Sequence, residues 1–259
     1  MKMSSIEKKG SKYSFTIQDT TPAIANALRR SIMNETPTMA ITSIEFVKNS
    51  STLFDEMLAH RLGLVVLKTD LRSYNQRSKC TCNAEGCAKC QLKLTLNVKG
   101  PLSVTAKEIE SQDPKVLPVY PQTLIVTLQK GQEIECIATA ELGLGSDHAK
   151  FTPGLCFYSF AANVTVNNNS KLFEEMKEKY PPQIIDKNGK ISKEKIIELS
   201  LVDACDGVCE DIVKVEYDKT TVIFTYEPWG SLDAKKTVQA ALDSLTEKCE
   251  TFTTLLKAL

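Results

Sequence analysis

The chain has 259 residues, 42% of them hydrophobic, and its 32 basic and 32 acidic side chains cancel at neutral pH. That length holds one or two domains with a real core, while zero net charge argues against a free-standing nucleic-acid binder, which needs a basic excess to neutralise phosphates. No stretch approaches the ~20 consecutive apolar residues of a membrane span, and Met1 to Lys12 is too polar for a signal peptide, so a reducing compartment is expected and the nine cysteines point to metal or burial before disulfides.

In chain order, Tyr13 to Ile17 alternates as a half-buried strand does. Thr20 to Glu35 reads as a helix: Thr20 and Thr21 can accept from the first free amides, and Pro22 sits where a missing N–H costs nothing. Ile24, Ala27, Leu28, Ser31 and Ile32 recur at three- and four-residue steps, giving a stripe narrow enough for close helix packing, with Arg29 and Arg30 beside it. Such a stripe either covers the chain's own sheet or meets another chain. Pro37 ends the run, since the residue before a proline is pushed out of helical geometry.

Met39 to Val47 alternates again, with Ile41, Ile44 and Phe46 inward and Glu45 outward. Phe54, Met57, Leu58 and Leu62 then take helical spacing, with Gly63 predicted to close the turn and Leu64 to Leu67 to begin a strand. His60 and Arg61 fall near that helix's C-terminal end, where positive charge is favoured. His60 reads as a cap or packing residue, because nothing in the sequence offers it an acid–base partner.

Cys80, Cys82, Cys87 and Cys90 carry the most specific chemistry. Four thiolates in so short a loop can close a tetrahedron around zinc, and Asn83, Ala84 and Gly86 are the small or turn-forming residues such a loop requires. Two local disulfides are disfavoured by compartment, and the usual iron–sulfur runs differ in spacing. Four protein ligands leave no position for water or substrate, so the ion is expected to be structural, clamping a loop at the head of the strand marked by Leu92, Leu94, Leu96 and Val98. The nearby Arg77, Lys79 and Lys89 read as ordinary surface charge.

Thr123 to Leu128 and Glu133 to Leu142 are strands, with Lys130-Gly131-Gln132 predicted to join them as a hairpin turn. Gly143 to Pro153 lacks the third glycine and the strand-to-helix context of a phosphate cradle, and reads instead as a rigid, protein-contacting loop. Lys171 to Lys179 and Lys193 to Leu199 are short charged helices, while Cys136, Cys156 and Cys249 lie in stripes that predict burial. Asp218 to Tyr226 is a strand, Pro228-Trp229-Gly230 turns the chain with Trp229 packed beneath, and a last helix starts after Ser231 as its cap. Along it Val238, Leu242, Leu245, Cys249, Phe252, Leu256 and Leu259 alternate steps of four and three, a seam for a partner helix. At ~1.5 Å per residue, Leu232 to Leu259 spans roughly 42 Å, longer than a small domain needs.

The phrase Phe54-Asp-Glu-Met-Leu-Ala-His-Arg-Leu-Gly-Leu64, the four-cysteine loop and Gly145-Ser-Asp-His-Ala-Lys-Phe-Thr-Pro153 stand in the order seen in the alpha-like RNA polymerase subunits, and Leu28-Arg29-Arg30 resembles the motif of that family's first helix. Archaeal D-type members are most similar, then the eukaryotic third-largest-subunit relatives, then the bacterial alpha N-terminal domain. The resemblance covers nearly the whole chain. It implies an α+β fold: a dimerisation domain of two helices on an antiparallel sheet built from both chain ends (1–50 and 216–259), interrupted by a mostly β domain (51–170) carrying the zinc loop.

The same likeness implies a heterodimer with a small alpha-like subunit, called L in archaea, through Ile24, Ala27, Leu28, Ser31, Val238, Leu242, Leu245, Cys249, Phe252 and Leu256. That pair is the platform for the largest and second-largest polymerase subunits, with small subunits N and P nearby and Arg29 and Arg30 against the second-largest. Residues 171–215 resemble a degenerate ferredoxin-like insertion. Only Cys205 and Cys209 remain in it, where a cubane cluster needs four ligands, so no iron–sulfur cluster is expected. The implied function is transcription without catalytic residues of its own, in the cytoplasm of an archaeon or the nucleus of a eukaryote. Two other classes remain, a zinc-dependent nucleic-acid reader and a ferredoxin-like redox carrier using Cys205 and Cys209.

Overall fold

Strands β1 (Lys2–Met3), β2 (Glu7–Lys9) and β3 (Lys12–Gln18) open the chain in the computed structural model, which describes residues 1–4 and 6–258. Phe15 and Ile17 of β3 turn inward, as their alternation requires. Helix α1 (Pro22–Arg30) follows and widens into a π-helical turn, Ser31–Glu35, before Thr36 goes extended ahead of Pro37. The Thr21 hydroxyl accepts from the Ile24 amide at 3.4 Å, whereas the Thr20 hydroxyl is buried without a hydrogen-bond partner, so one of the two expected caps is made.

Next come β4 (Thr38–Asn49), α2 (Asp55–Gly63), β5 (Gln91–Lys99), β6 (Leu102–Thr105), β7 (Glu110–Ser111), β8 (Leu124–Leu128) and β9 (Glu133–Gly143). The chain finishes with β10 (Gly154–Val166), α3 (Phe173–Met176), α4 (Lys193–Glu198), α5 (Val202–Cys205), β11 (Val213–Pro228) and α6 (Ala234–Lys257). One sheet runs in the order β1-β3-β11-β10 with β2 added on β3, a second runs β4-β9-β5-β7, and β6 pairs with β8. The β1–β3, β2–β3, β4–β9, β5–β9, β5–β7 and β6–β8 pairings are antiparallel, which makes this a mixed α and β chain with antiparallel sheets.

Two compact units emerge: Met1–Ile6, Phe15–Ala25 and Tyr158–Phe224 form one, and Glu7–Ser14, Asn26–Phe157 and Thr225–Leu259 the other. The second unit holds the larger core. Leu92, Leu94, Leu96 and Val98 all point into it from β5, joined by Ile41 of β4 and by Leu58 and Leu62 of α2. In the first unit the two charged stretches each contribute a buried anchor, Phe173 and Ile196, to a core shared with Tyr180, Ile184 and Ile212. Cys205 lies inside that core, and the Tyr180 hydroxyl donates to the Cys209 carbonyl at 3.2 Å.

Several local expectations are corrected. Gly63 stays helical as the last residue of α2, and Leu64 still satisfies its amide on His60 and Arg61, so Leu64 to Leu67 forms no strand beyond a single bridge from Leu67 to Pro118. Gly131 does make the predicted turn, with φ +83, but β8 pairs with β6 while β9 lies between β4 and β5, so the turn is a corner between sheets. The last helix begins three residues later than its expected cap: Asp233 accepts from the Lys235 amide, and Ser231 precedes it. Trp229 is partly exposed rather than packed away, and Cys249 is exposed, while Cys136 and Cys156 are buried as small hydrophobes.

Candidate metal centre and exposed helix face

The four sulfurs of Cys80, Cys82, Cys87 and Cys90 all lie within 4.8 Å of one another. Three separations are 3.6 Å for Cys80–Cys87, 3.7 Å for Cys82–Cys90 and 3.9 Å for Cys87–Cys90. A tetrahedron with zinc–sulfur bonds of about 2.3 Å has edges of roughly 3.8 Å, so the donor set has the size and the chemistry of a closed metal site. Asn83, Ala84 and Gly86 all adopt left-handed backbone, with φ of 52, 65 and 98, which lets the loop fold back on itself within a few residues. Gly86 has a second constraint, because a Cβ there would meet the Gln91 side chain at 2.4 Å.

Backbone and neighbours tune the thiols. The Gly86 backbone hydrogen bond is the main reason the Cys82 thiol drops to about 6, whereas burial pushes Cys90 up to about 12. The Cys87 amide also donates to the Cys90 sulfur at 3.2 Å. A cation bound among the four sulfurs would favour the thiolate form of each. The loop is braced from β9: Glu141 accepts from Gln91 at 2.5 Å and from Arg77 at 3.2 Å, and Arg77 also donates to the Ala84 carbonyl at 2.8 Å. Lys79 reaches away to Glu247 on α6, at 2.6 Å.

Helix α6 divides into two halves of opposite character. Ala234, Thr237, Val238 and Ala241 are buried, and the Ala241 carbonyl accepts from the Ser31 hydroxyl at 2.7 Å across to the π-helical turn. The Tyr226 hydroxyl meets Thr237 at 3.3 Å, and Lys248 pairs with Glu35 at 2.7 Å. Beyond Ala241 the cover thins. Leu242 is 42% exposed, Phe252 63%, Leu255 62% and Leu256 53%, with Leu245 half-buried and Cys249 open.

The stripe on α1 is split in the same way: Leu28, Ser31 and Ile32 are buried within this chain, while Ile24 and Ala27 are exposed. Arg29 is held by Asn26, at 3.1 Å from its Nε and 2.9 Å from a terminal nitrogen, and Arg30 is exposed. A groove of about 700 Å³ runs beside α6, with Tyr74, Lys79, Glu247, Phe252 and Leu255 among its walls.

The structure thus brings the four cysteines together and leaves part of each helical stripe open. Sequence reasoning missed Leu255, whose three-residue step from Phe252 broadens the seam, and Glu141, whose charge in an alternating strand gave no hint that it braces the loop. His60 is exposed in the last turn of α2, beside Arg61, which donates to the Ile125 carbonyl at 2.6 Å. The Gly143 to Pro153 loop packs closely: a Cβ on Gly145 would meet the Met33 carbonyl at 2.2 Å, and Lys150 donates to the Ile41 carbonyl at 2.8 Å.

Residues 42–153 match the family model described as the RNA polymerase Rpb3/RpoA insert domain. The chain is 32% identical to the DNA-directed RNA polymerase subunit Rpo3 of Archaeoglobus fulgidus, over 98% of this chain and 97% of that protein. It is 33% identical to Rpo3 of Methanosarcina acetivorans, over 100% and 99% of the two chains, and 37% identical to Rpo3 of Thermoplasma volcanium, over 94% and 95%.

Proposed function

The chain belongs to the Rpo3 family of DNA-directed RNA polymerase subunits, and from that premise we propose that it assembles the polymerase by pairing the open half of α6 with a small alpha-like subunit. It is a non-catalytic assembly subunit of an enzyme complex, and other polymerase subunits are its partners. The D-type designation, the kinship with the eukaryotic third-largest subunit, a two-helix dimerisation domain built from both chain ends and an archaeal cytoplasmic setting rest on the motif resemblance. So do the particular partners: L on the helices, then the largest and second-largest subunits, with N and P nearby.

One observation carries the pairing: large apolar side chains stand uncovered along the outer part of a 24-residue helix whose inner part is buried. Moving one such side chain out of water contributes roughly 1.5–3 kcal/mol. Four that are already half covered supply on the order of 5 kcal/mol, near the lower end of the ~4–15 kcal/mol that association costs. The outer half of α6 therefore needs help, and Ile24 and Ala27 on α1 are the further apolar contacts we assign to the same partner. Leu28, Ser31 and Val238 would then act from beneath, fixing the helices that carry the interface, while Arg29 and Arg30 are assigned to the second-largest subunit.

We assign the Cys80, Cys82, Cys87 and Cys90 site to one structural zinc ion, which supplies four strong cross-links to a loop with little apolar surface of its own. No iron–sulfur cluster is proposed, since Cys205 and Cys209 offer two thiols where a cubane needs four. The mass of the intact assembly after gentle purification tests the whole reading. One small alpha-like partner and one zinc per chain are expected, and a chain that runs as a lone monomer from its own source would refute it.

A further inference from the structure

The groove of about 700 Å³ beside α6 lies wholly within one compact unit. Helix residues between Ala240 and Leu255 make one wall, and Leu71, Tyr74, Leu142 and Leu144 contribute to the others. Ala240 and Ser244, one turn apart on the helix, are too small to fill the space.

The charges on these walls are answered from within the chain. Lys79 pairs with Glu247 at 2.6 Å, Lys248 pairs with Glu35 at 2.7 Å, and Asp243 accepts from Gln239 at 2.9 Å. An occupant therefore gains nothing by carrying charge, and a charged one would give up water without finding a partner. The walls select an uncharged, apolar segment.

Phe252 joins this groove to the outer seam of α6. It stands in step with Cys249 and Leu256 on the seam, and it is also a groove wall beside Leu255. Both side chains are exposed, and Leu255 lies about 100° around the helix from Leu256, so a chain packed on the seam alone leaves Leu255 uncovered. The seam is also short of contact, since its half-covered side chains supply little beyond the least that association costs. The groove is the apolar surface continuous with it.

We propose that the small alpha-like subunit, besides covering the seam, sets an uncharged aliphatic segment into the groove between α6 and residues 71–79 and 142–144. This rests on the pairing proposed above and extends it from one helix face to a cleft. The segment passes Phe252 and Leu255 at the mouth and covers Leu71 and Leu144 inside.

Hydrogen exchange of the full chain, alone and co-expressed with the small alpha-like subunit, tests this. Pairing should slow exchange at least about tenfold in residues 71–79 and 142–144 as well as along α6. Leu144→Glu sets a charge into the wall away from the helix and should lower recovery of the small subunit on the tagged chain roughly fivefold. Ser244→Trp fills the groove from the helix side and should act in the same direction. The exchange readout uses the unsubstituted chain, so it stands even where a variant folds poorly. Protection confined to α6 and α1, or full recovery with both variants, would overturn the groove while leaving the seam intact, because Leu256→Asp should still break that pairing. Protection of 71–79 that appears only in the intact polymerase would give the groove to another subunit and overturn the proposal too. Recovery that Leu256→Asp leaves unchanged would overturn the pairing itself.

Discussion

The two halves of α6 share one repeat and differ in what covers it. From Ala234 to Ala241 the seam is closed by this chain's own π-helical turn and strand end, through Ser31, Tyr226 and Thr237. From Leu242 onward the same repeat carries Phe252 and Leu256 into solvent, with Leu255 beside them. Periodicity reports which face of a helix is apolar, but it cannot report whose atoms lie against it. On the proposed pairing, the boundary at Ala241 is the line between folding and assembly in this helix.

That boundary is breakable by substitution, and the largest effect is expected inside it. Val238→Asp places an unpaired carboxylate in a closed site, which should cost roughly 3–5 kcal/mol in a denaturant melt of the chain alone. An unchanged melt would mean that the inner half is not closed. The metal loop gives a second, differently built closure. On the proposed zinc assignment, Cys87→Ser should reduce bound zinc from about one ion to a small fraction, measured by elemental analysis, because three thiolates no longer close the tetrahedron.

Next in size is an acid effect. Backbone and hydroxyl hydrogen bonds from Arg72 and Ser73, with Lys115 behind them, hold Asp70 down at about 2. A carboxylate lowered on folding adds stability above its unfolded value of about 3.9 and loses it as the pH falls toward 2. Asp70→Asn should thus remove about 1–2 kcal/mol at pH 7, with the difference from the parent chain shrinking as the pH of the melt falls through about 2. The smallest effect belongs to Lys79→Ala, which breaks an exposed pair with Glu247 and should cost under about 1 kcal/mol. That small value sharpens the comparison: the metal loop and α6 belong to one compact unit, and the exposed Lys79–Glu247 pair is a weak tie between them.

Much of this was legible in the sequence where the signal is local. The cysteine spacing predicted the cluster, the left-handed residues of its loop were picked out by type, and the alternation of Leu92, Leu94, Leu96 and Val98 predicted one buried face. What escaped depends on distant partners. Lys130 to Gln132 looked like a hairpin because nothing local distinguishes a hairpin turn from a corner between sheets. Ser231 looked like a cap, but Asp233 sits two residues closer to the helix and takes the amide instead. Phe173 and Ile196 were hidden by the charges around them, since one buried side chain per short helix leaves no period to detect. Leu28 and Leu256 occupy equivalent places in their apolar stripes, and only the fold separates the buried one from the exposed one.

The most direct measurement is Leu256→Asp in the chain co-expressed with the small alpha-like subunit, read as the fraction of that partner recovered on the tagged chain. A charge set into the face that the proposed pairing buries should cut recovery by at least about tenfold, while the melt of the chain alone stays within about 0.5 kcal/mol of the parent. Full recovery of the partner, or a collapsed melt of the lone chain, would contradict the claim that the outer half of α6 is completed only by another subunit.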